Sequence, residues 1–426
     1  MITQKEYKRR RDKLLRKLSN NSIGILFSSE YKTRSNDTQY PYRQNSNFYY
    51  LTGFKEDNSA LVFVKTNDIT KIILFVQKKD ETLELWNGKR LGEIEARKKF
   101  LLDEVCIIDD LDKRLKEFAK SANKLYFDLD SKDKRVKKFK KNITDSAKYK
   151  NISQIIYRMR LIKSDAEIEL IKKAIGITKK AHHKAMEFKK HGKNEYELQA
   201  EIEYIFKKHG AYSDAYTSIV AGGNSANTLH YISNDKSLQH NELILIDAGC
   251  EYDCYASDIT RCIPVGGKFT PAQRELYNMV LEVQVEIIEM IKPGVKRSEL
   301  HKRSEELLCE GMVKLGIIEG KCKKLLKKQR HKKYYPHGIG HWMGLDVHDE
   351  APYKDKKGKE IPLKKGMVLT IEPGIYIDKN DNSVPEKYRG IGIRIEDNIL
   401  VTLKGHKNLS KKIAKSVEAI EAISKS

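Results

Sequence analysis

The chain has 426 residues, 39% of them apolar and 33% charged, a balance that suits a globular protein of two domains and excludes a single ordinary core. No apolar run is long enough to cross a bilayer, which excludes a membrane-spanning class. The net charge of +23, from 82 basic and 59 acidic residues, raises the question of a nucleic-acid partner.

The basic residues are mostly Lys scattered along the chain, densest at 132–150 and 321–333. Neither run carries the regular aromatic interleaving of a single-strand binder or a recognition motif, so a solvated surface is expected and nucleic acid is not. The N-terminus, MITQKEYKRRRDKLLRKL, lacks the apolar centre of a secretory signal, and Glu6 and Asp12 argue against a transit peptide. Six cysteines fit no disulfide framework in a chain of this size, which points to a reducing cytosol.

In chain order, 3–19 predicts an amphipathic helix and SIGILFS at 22–28 a short buried strand. The aromatic and amide-rich stretch at 33–54 reads as an ordered loop feeding a strand at 47–52. Paired strands are expected at 60–66 and 71–76, and further strands at 105–108 and 124–128, with helices between. This alternation predicts a compact α/β domain over 1–160. A long helical pattern opens at 158–164 and runs to about 190, and a second domain is expected over 165–426. There, helices are expected near 195–209, 271–292 and 297–315. Its strands are expected at 217–220, 243–247, 258–264, 367–371 and 391–400.

Chemistry concentrates in the second domain. LILIDAGCEYDCYASDITR, at 243–261, is an apolar strand that ends on Asp247, followed by a turn and a second extended piece bearing Asp258. A carboxylate aimed along a core strand needs a partner, and a second acid is not one, so the pair calls for a cation. Either acid alone is more simply a turn cap or a solvated side chain. HGIGHWMGLDVHD, from His337, brings three His within a short Gly-rich segment, too rich in Gly to be the helical zinc-protease signature. MVLTIEPG, from Met367, repeats the strand ending on an acid at Glu372. In GIGIRIED, from Gly390, Arg394 and Glu396 share a face, for which a solvated salt bridge is the plainer reading, with Asp397 and Asn398 beside it. Asp247, Asp258, His341, Glu372 and Glu396 together make a hard donor set that needs about two divalent cations.

These segments, with YPYRQNSNFYYLTGF from Tyr40, LTIEPGIYI from Leu369 and VPEKYRGIGIRIED from Val384, resemble the pita-bread metallopeptidases, and among them the Xaa-Pro aminopeptidases (aminopeptidase P). The resemblance runs in order from the first helix almost to the C-terminus. It implies an α/β (α+β) chain, with an N-terminal creatinase-like domain over 1–160 and a pita-bread catalytic domain over 165–426. It also implies release of the first residue from peptides with proline second, by a hydroxide shared between two divalent ions, Mn2+ first, with Co2+ or Zn2+ as alternatives. Asp247, Asp258, His341, Glu372 and Glu396 would hold the metals. His230, His348 and Glu372 would be catalytic, and His337, Tyr376 and Arg394 would line the proline side. A homodimer or homotetramer is expected. Alternatives are a prolidase acting on Xaa-Pro dipeptides, or a non-catalytic pita-bread binding protein.

Overall fold

A computed structural model describes residues 1–142 and 148–424 in two compact units, Met1–Arg160 and Leu161–Ser426. Positions 143–147 of the lysine-rich stretch at 132–150 lie outside the described residues.

The first unit is built on a six-stranded sheet. Its order is Glu104–Ile107, Thr70–Val76, Ala60–Lys65, Ser22–Phe27, Lys124–Phe127 and Lys148–Asn151. Ala60–Lys65 runs antiparallel to both its neighbours, Thr70–Val76 and Ser22–Phe27, and the remaining pairings are parallel. Ile23, Ile25, Val62, Val64, Ile73 and Phe75 form the core of one face, alternating as strand geometry requires. The segment expected to be a strand at 47–52 is instead the helix Ser46–Thr52. Its caps decide this: the Asn45 side chain accepts the Phe48 N–H, and Gly53, at φ 66°, ends the helix by donating to the Tyr49 carbonyl. With every residue of the turn buried, packing overrides the strand preference of its aromatic residues.

The second unit carries four long helices, Asp165–Glu187, Glu195–Lys208, Pro271–Glu289 and Arg297–Lys314. The helical pattern expected to run unbroken from 158 is two helices, Ser153–Arg160 and Asp165–Glu187. Ser164 restarts it with a reciprocal cap, accepting from the Glu167 N–H while Glu167 accepts from its own. Thr270 and Gln273 form the same device ahead of Pro271.

Three short antiparallel sheets set the site. Leu243–Asp247 lies between Ile219–Gly222 and Thr260–Pro264, with Asp247 opposite Thr260. Val368–Ile371, Asp397–Val401 and His406–Asn408 form a second sheet, and Gly374–Tyr376 pairs with Gly392–Arg394. The strands expected at 217–220 and 258–264 therefore begin two residues later, leaving Asp258 in the approach to its strand. The single strand expected over 391–400 is broken at Ile395 and Glu396. Pro373, on the facing chain, has no N–H to continue the ladder. At that level the Ile395 N–H goes to the Pro373 carbonyl, and that of Glu396 goes to the Thr260 carbonyl. The break turns Glu396 inward. Asp397 and Asn398, placed beside solvent by the sequence, are both fully buried.

Candidate active site

Strand ends deliver most of the site. Asp247 terminates its strand, Glu372 follows Ile371 directly, and Glu396 sits in the strand break, so each carboxylate leaves the sheet where the ladder stops. His341 arrives on a loop that runs beside Val368–Ile371. Its N–H donates to the Thr370 hydroxyl at 3.0 Å, and its carbonyl accepts the Thr370 N–H at 2.9 Å. Gly340 makes this approach feasible, because a Cβ there would lie 2.0 Å from the Thr370 carbonyl oxygen.

The acids and the imidazole meet. His341 Nε2 is 3.2 Å from Asp258 Oδ2 and 3.5 Å from Glu372 Oε1. Asp258, His341 and Glu396 each offer a ligand atom, all within 4.8 Å of one another. Nine of the ten side chains singled out in the sequence line one cavity of about 340 Å³: Asp247, Asp258, Glu372, Glu396, His230, His337, His341, His348 and Arg394. The tenth, Tyr376, stands behind it. Its hydroxyl lies 2.8 Å from His337 Nε2 and accepts from Arg394 Nη1 at 2.9 Å. The His348 ring meets His341 edge-on at 4.2 Å, and both His348 and His230 are exposed at the cavity mouth.

Electrostatics mark the cluster as short of positive charge. Burial, with Asp247 and Glu372 nearby, pushes the Asp258 carboxyl up to about 6 even against the pull of His341. Burial and the neighbouring Asp258, Glu372 and Asp247 raise Glu396 well above the carboxylate range. Burial alone would lower the His341 imidazole, but Asp258 and Glu372 outweigh it and bring it to about 9. Burial lowers both His337 and His348, which favours neutral rings. Besides the Arg394 guanidinium on Asp247, the cation within the cluster is the proton on His341. Four carboxylates and one imidazole, oxygen-rich and without sulfur, fit a hard divalent cation in its place.

Several contributors carry no signal in the sequence. The Tyr216 hydroxyl donates to Asp247 Oδ1 at 2.6 Å, while Arg394 Nη2 holds Oδ2 at 2.7 Å, so both oxygens of Asp247 are oriented. The Thr260 hydroxyl donates to Glu396 Oε2 at 2.8 Å and accepts from Arg394 Nε at 3.2 Å. Asn398 clamps the Asp258 backbone, its amide donating to the Asp258 carbonyl at 2.6 Å. The buried His182, lowered to about 4 by burial, bonds the Ala248 carbonyl behind Asp247. Only Tyr216 was findable, as an aromatic residue just ahead of a strand; the others are ordinary residue types whose role depends on what folds against them. Arg394 is 4% exposed and braces Asp247, so the solvated salt bridge read for it in the sequence does not form.

The model of metallopeptidase family M24 matches residues 169–403, and that of the aminopeptidase P N-terminal domain matches 7–126. The Xaa-Pro aminopeptidase of Haemophilus influenzae is 40% identical over 423 residues, which cover 99% of this chain and 97% of that protein. The Escherichia coli Xaa-Pro aminopeptidase is 39% identical over 434 residues, covering 99% and 98%. Proline aminopeptidase P II from Yersinia pestis superposes with a TM-score of 0.94 at 39% identity, covering 100% of each chain. Zn-substituted E. coli aminopeptidase P in complex with product gives 0.94 at 39% identity, covering 99% of this chain and 98% of that one.

Proposed function

Because the chain belongs to metallopeptidase family M24 and carries an aminopeptidase P N-terminal domain, we propose that it releases the first residue from peptides with proline in second place. The observation that carries this reading is the convergence of Asp258, His341 and Glu396, with Asp247 and Glu372, on one cavity. Asp247, Asp258, His341, Glu372 and Glu396 are the residues that would hold two divalent cations, Mn2+ first, with Co2+ or Zn2+ also compatible with oxygen and imidazole donors. Bound there, such ions supply a water of lowered pKa and polarise the scissile carbonyl.

The chain's own residues do the rest. Tyr216, Arg394 and Thr260 fix the rotamers of Asp247 and Glu396, so the ligand atoms are positioned before anything binds. Glu372, at the cavity wall beside His341, accepts a proton and returns it to the departing imide nitrogen. His230 and His348 donate to the carbonyl oxygen as negative charge develops on it. The hydrogen-bonded series His337, Tyr376 and Arg394 makes a firm wall for the proline ring. A dedicated wall suits an imide bond, which has no N–H for a general peptidase to grip. The test is cleavage of Xaa-Pro-Yaa against Xaa-Pro. Release from the longer peptide supports the aminopeptidase, and turnover of dipeptide alone identifies a prolidase.

Metal affinity should depend on pH through His341. Its imidazole must lose a proton to ligate, so affinity rises about tenfold per pH unit up to about pH 9 and then levels. The raised value of His341 also stabilises the metal-free fold. That contribution is complete below about pH 6.5, the unfolded value, and is lost as pH rises through about 9. Calorimetric titration and melting with and without chelator check both; an affinity that is flat from pH 6 to 9 contradicts them.

We infer that the protein acts as a dimer or tetramer in the cytoplasm. Leu85, Trp86 and Ile94, on the helices Glu81–Asn87 and Gly92–Lys99, are 83%, 80% and 70% exposed, apolar side chains that self-association would cover. Leu85→Glu with Trp86→Glu should lower the mass in sedimentation; an unchanged mass removes this patch from the interface. The six free cysteines support a reducing compartment. No described helix is long and apolar enough to cross a membrane.

A further inference from the structure

Away from the carboxylate cluster, two cysteines with no part in the proposed chemistry lie close together. Cys309 lies buried in the helix Arg297–Lys314, and Cys322, partly exposed, opens the helix Cys322–Lys327 that packs on it. They are 13 positions apart; the Cys309 Sγ is 4.0 Å from the Cys322 carbonyl oxygen, and the Cys322 side chain is near enough to raise the Cys309 thiol. We propose that Cys309 and Cys322 form a reversible disulfide when the protein meets a peroxide, a modification site distinct from the peptidase centre.

The two cysteines divide the work by exposure. Burial, then the neighbouring Cys322, pushes the Cys309 thiol up to about 12, so it is a poor first nucleophile. Cys322 is reachable from solvent, so a peroxide meets it first. The Cys322 thiolate attacks one peroxide oxygen, the O–O bond breaks, and hydroxide leaves with Cys322 as sulfenic acid. Cys309 sulfur then attacks the Cys322 sulfur, the S–O bond breaks, and the Cys309 proton leaves with the departing oxygen as water. Two cysteine electrons per sulfur pair reduce the peroxide, and a dithiol reverses the bridge.

The bridge closes a loop over 310–321 and pins the segment that follows it. That segment is already tied to the same helix, where His331 Nε2 lies 2.9 Å from Glu305 Oε1. It ends at Tyr334, whose carbonyl accepts the Tyr376 N–H at 3.0 Å, so the bridge stiffens a support of the proline wall.

The experiment treats the metal-loaded, full-length protein with hydrogen peroxide, then maps alkylated peptides by mass spectrometry before and after dithiothreitol. The expected result is one Cys309–Cys322 linked peptide, two hydrogen masses lighter than its parts and released by the dithiol. The oxidised protein should melt higher by roughly 5 °C. Cys322→Ser, a change at a partly exposed position, should lose both the link and the shift, while Cys254→Ser keeps them. Oxidation of Cys322 to sulfinic or sulfonic acid with Cys309 unlinked overturns the proposal. So does a linked peptide that pairs Cys322 with any other cysteine.

Discussion

Asp258→Asn is expected to fold, to hold much less divalent metal than the parent, and to release the first residue of an Xaa-Pro-Yaa peptide at least ~10³-fold more slowly. The loss is large because Asp258 belongs to the tightest group of ligand atoms, with His341 and Glu396. An amide retains the shape but not the charge. Its backbone is placed without the carboxylate, whose own contact is with His341: its N–H meets Asn398 Oδ1 at 3.2 Å, and its carbonyl accepts from the Asn398 amide. Folding should therefore survive. Burial raises this acid to about 6, so at neutral pH the buried charge opposes folding of the metal-free chain, and an amide removes that opposition. The amide also ends the pairing with His341, so the metal-free variant should lose much of the pH-dependent stability that the raised imidazole gives the metal-free parent. Elemental analysis, peptide hydrolysis and calorimetry on one preparation separate the effects. Full activity with normal metal content would sink the proposed two-metal centre.

The second large effect falls on stability, at a pair beneath the site. Arg261 and Asp397 are completely buried, with Nη2 and Oδ1 2.7 Å apart. Arg261 also donates to the Glu396 carbonyl at 2.6 Å and to the Ala414 carbonyl at 3.0 Å. Asp397 in turn accepts from Ser410, Asn408 and Lys415. Removing one member leaves the other charged and dry, which costs about 3–5 kcal/mol. Asp397→Ala should lower the melting temperature by roughly 10 °C. Arg261→Met with Asp397→Leu should recover much of that loss, since neither charge is then stranded. Equal losses in the single and double variants would show that the pair does not act through charge. Burial works against the Asp397 carboxylate, but Arg261 and Lys415 hold it well below the usual range. Its contribution is therefore complete above about pH 4 and fades as the medium is made more acid.

How far residues announce their surroundings explains what was legible in the chain. Apolar runs that stop on an acid, LILID and VLTIE, reveal both the strand and the odd position of its last side chain. Asp247 and Glu372 stood out for that reason, and the α/β architecture followed from similar runs. Caps and ladder breaks are quieter. Asn45 and Gly53 turn an aromatic run with strand preference into a helix, and Pro373, with no N–H to offer the Ile395 carbonyl, splits a strand that lies far along the chain. Neither effect is visible in a window around the affected residues. The burial of Asp397 and Asn398 was invisible for a related reason: their partners, Arg261 and Asp258, are supplied from more than 130 positions away. Thr260 orients Glu396 through a single hydroxyl that composition cannot distinguish from any other.

The break at Ile395 and Glu396 bears on how the protein is made. Asp247 is made well before its companions, which accrue until Glu396, and the Arg261 guanidinium that steadies Glu396 waits for the Ile413 and Ala414 carbonyls. Until residues 396–414 have been added the acids and the imidazole cannot converge, so a growing chain that carries Asp247 alone has no assembled cluster.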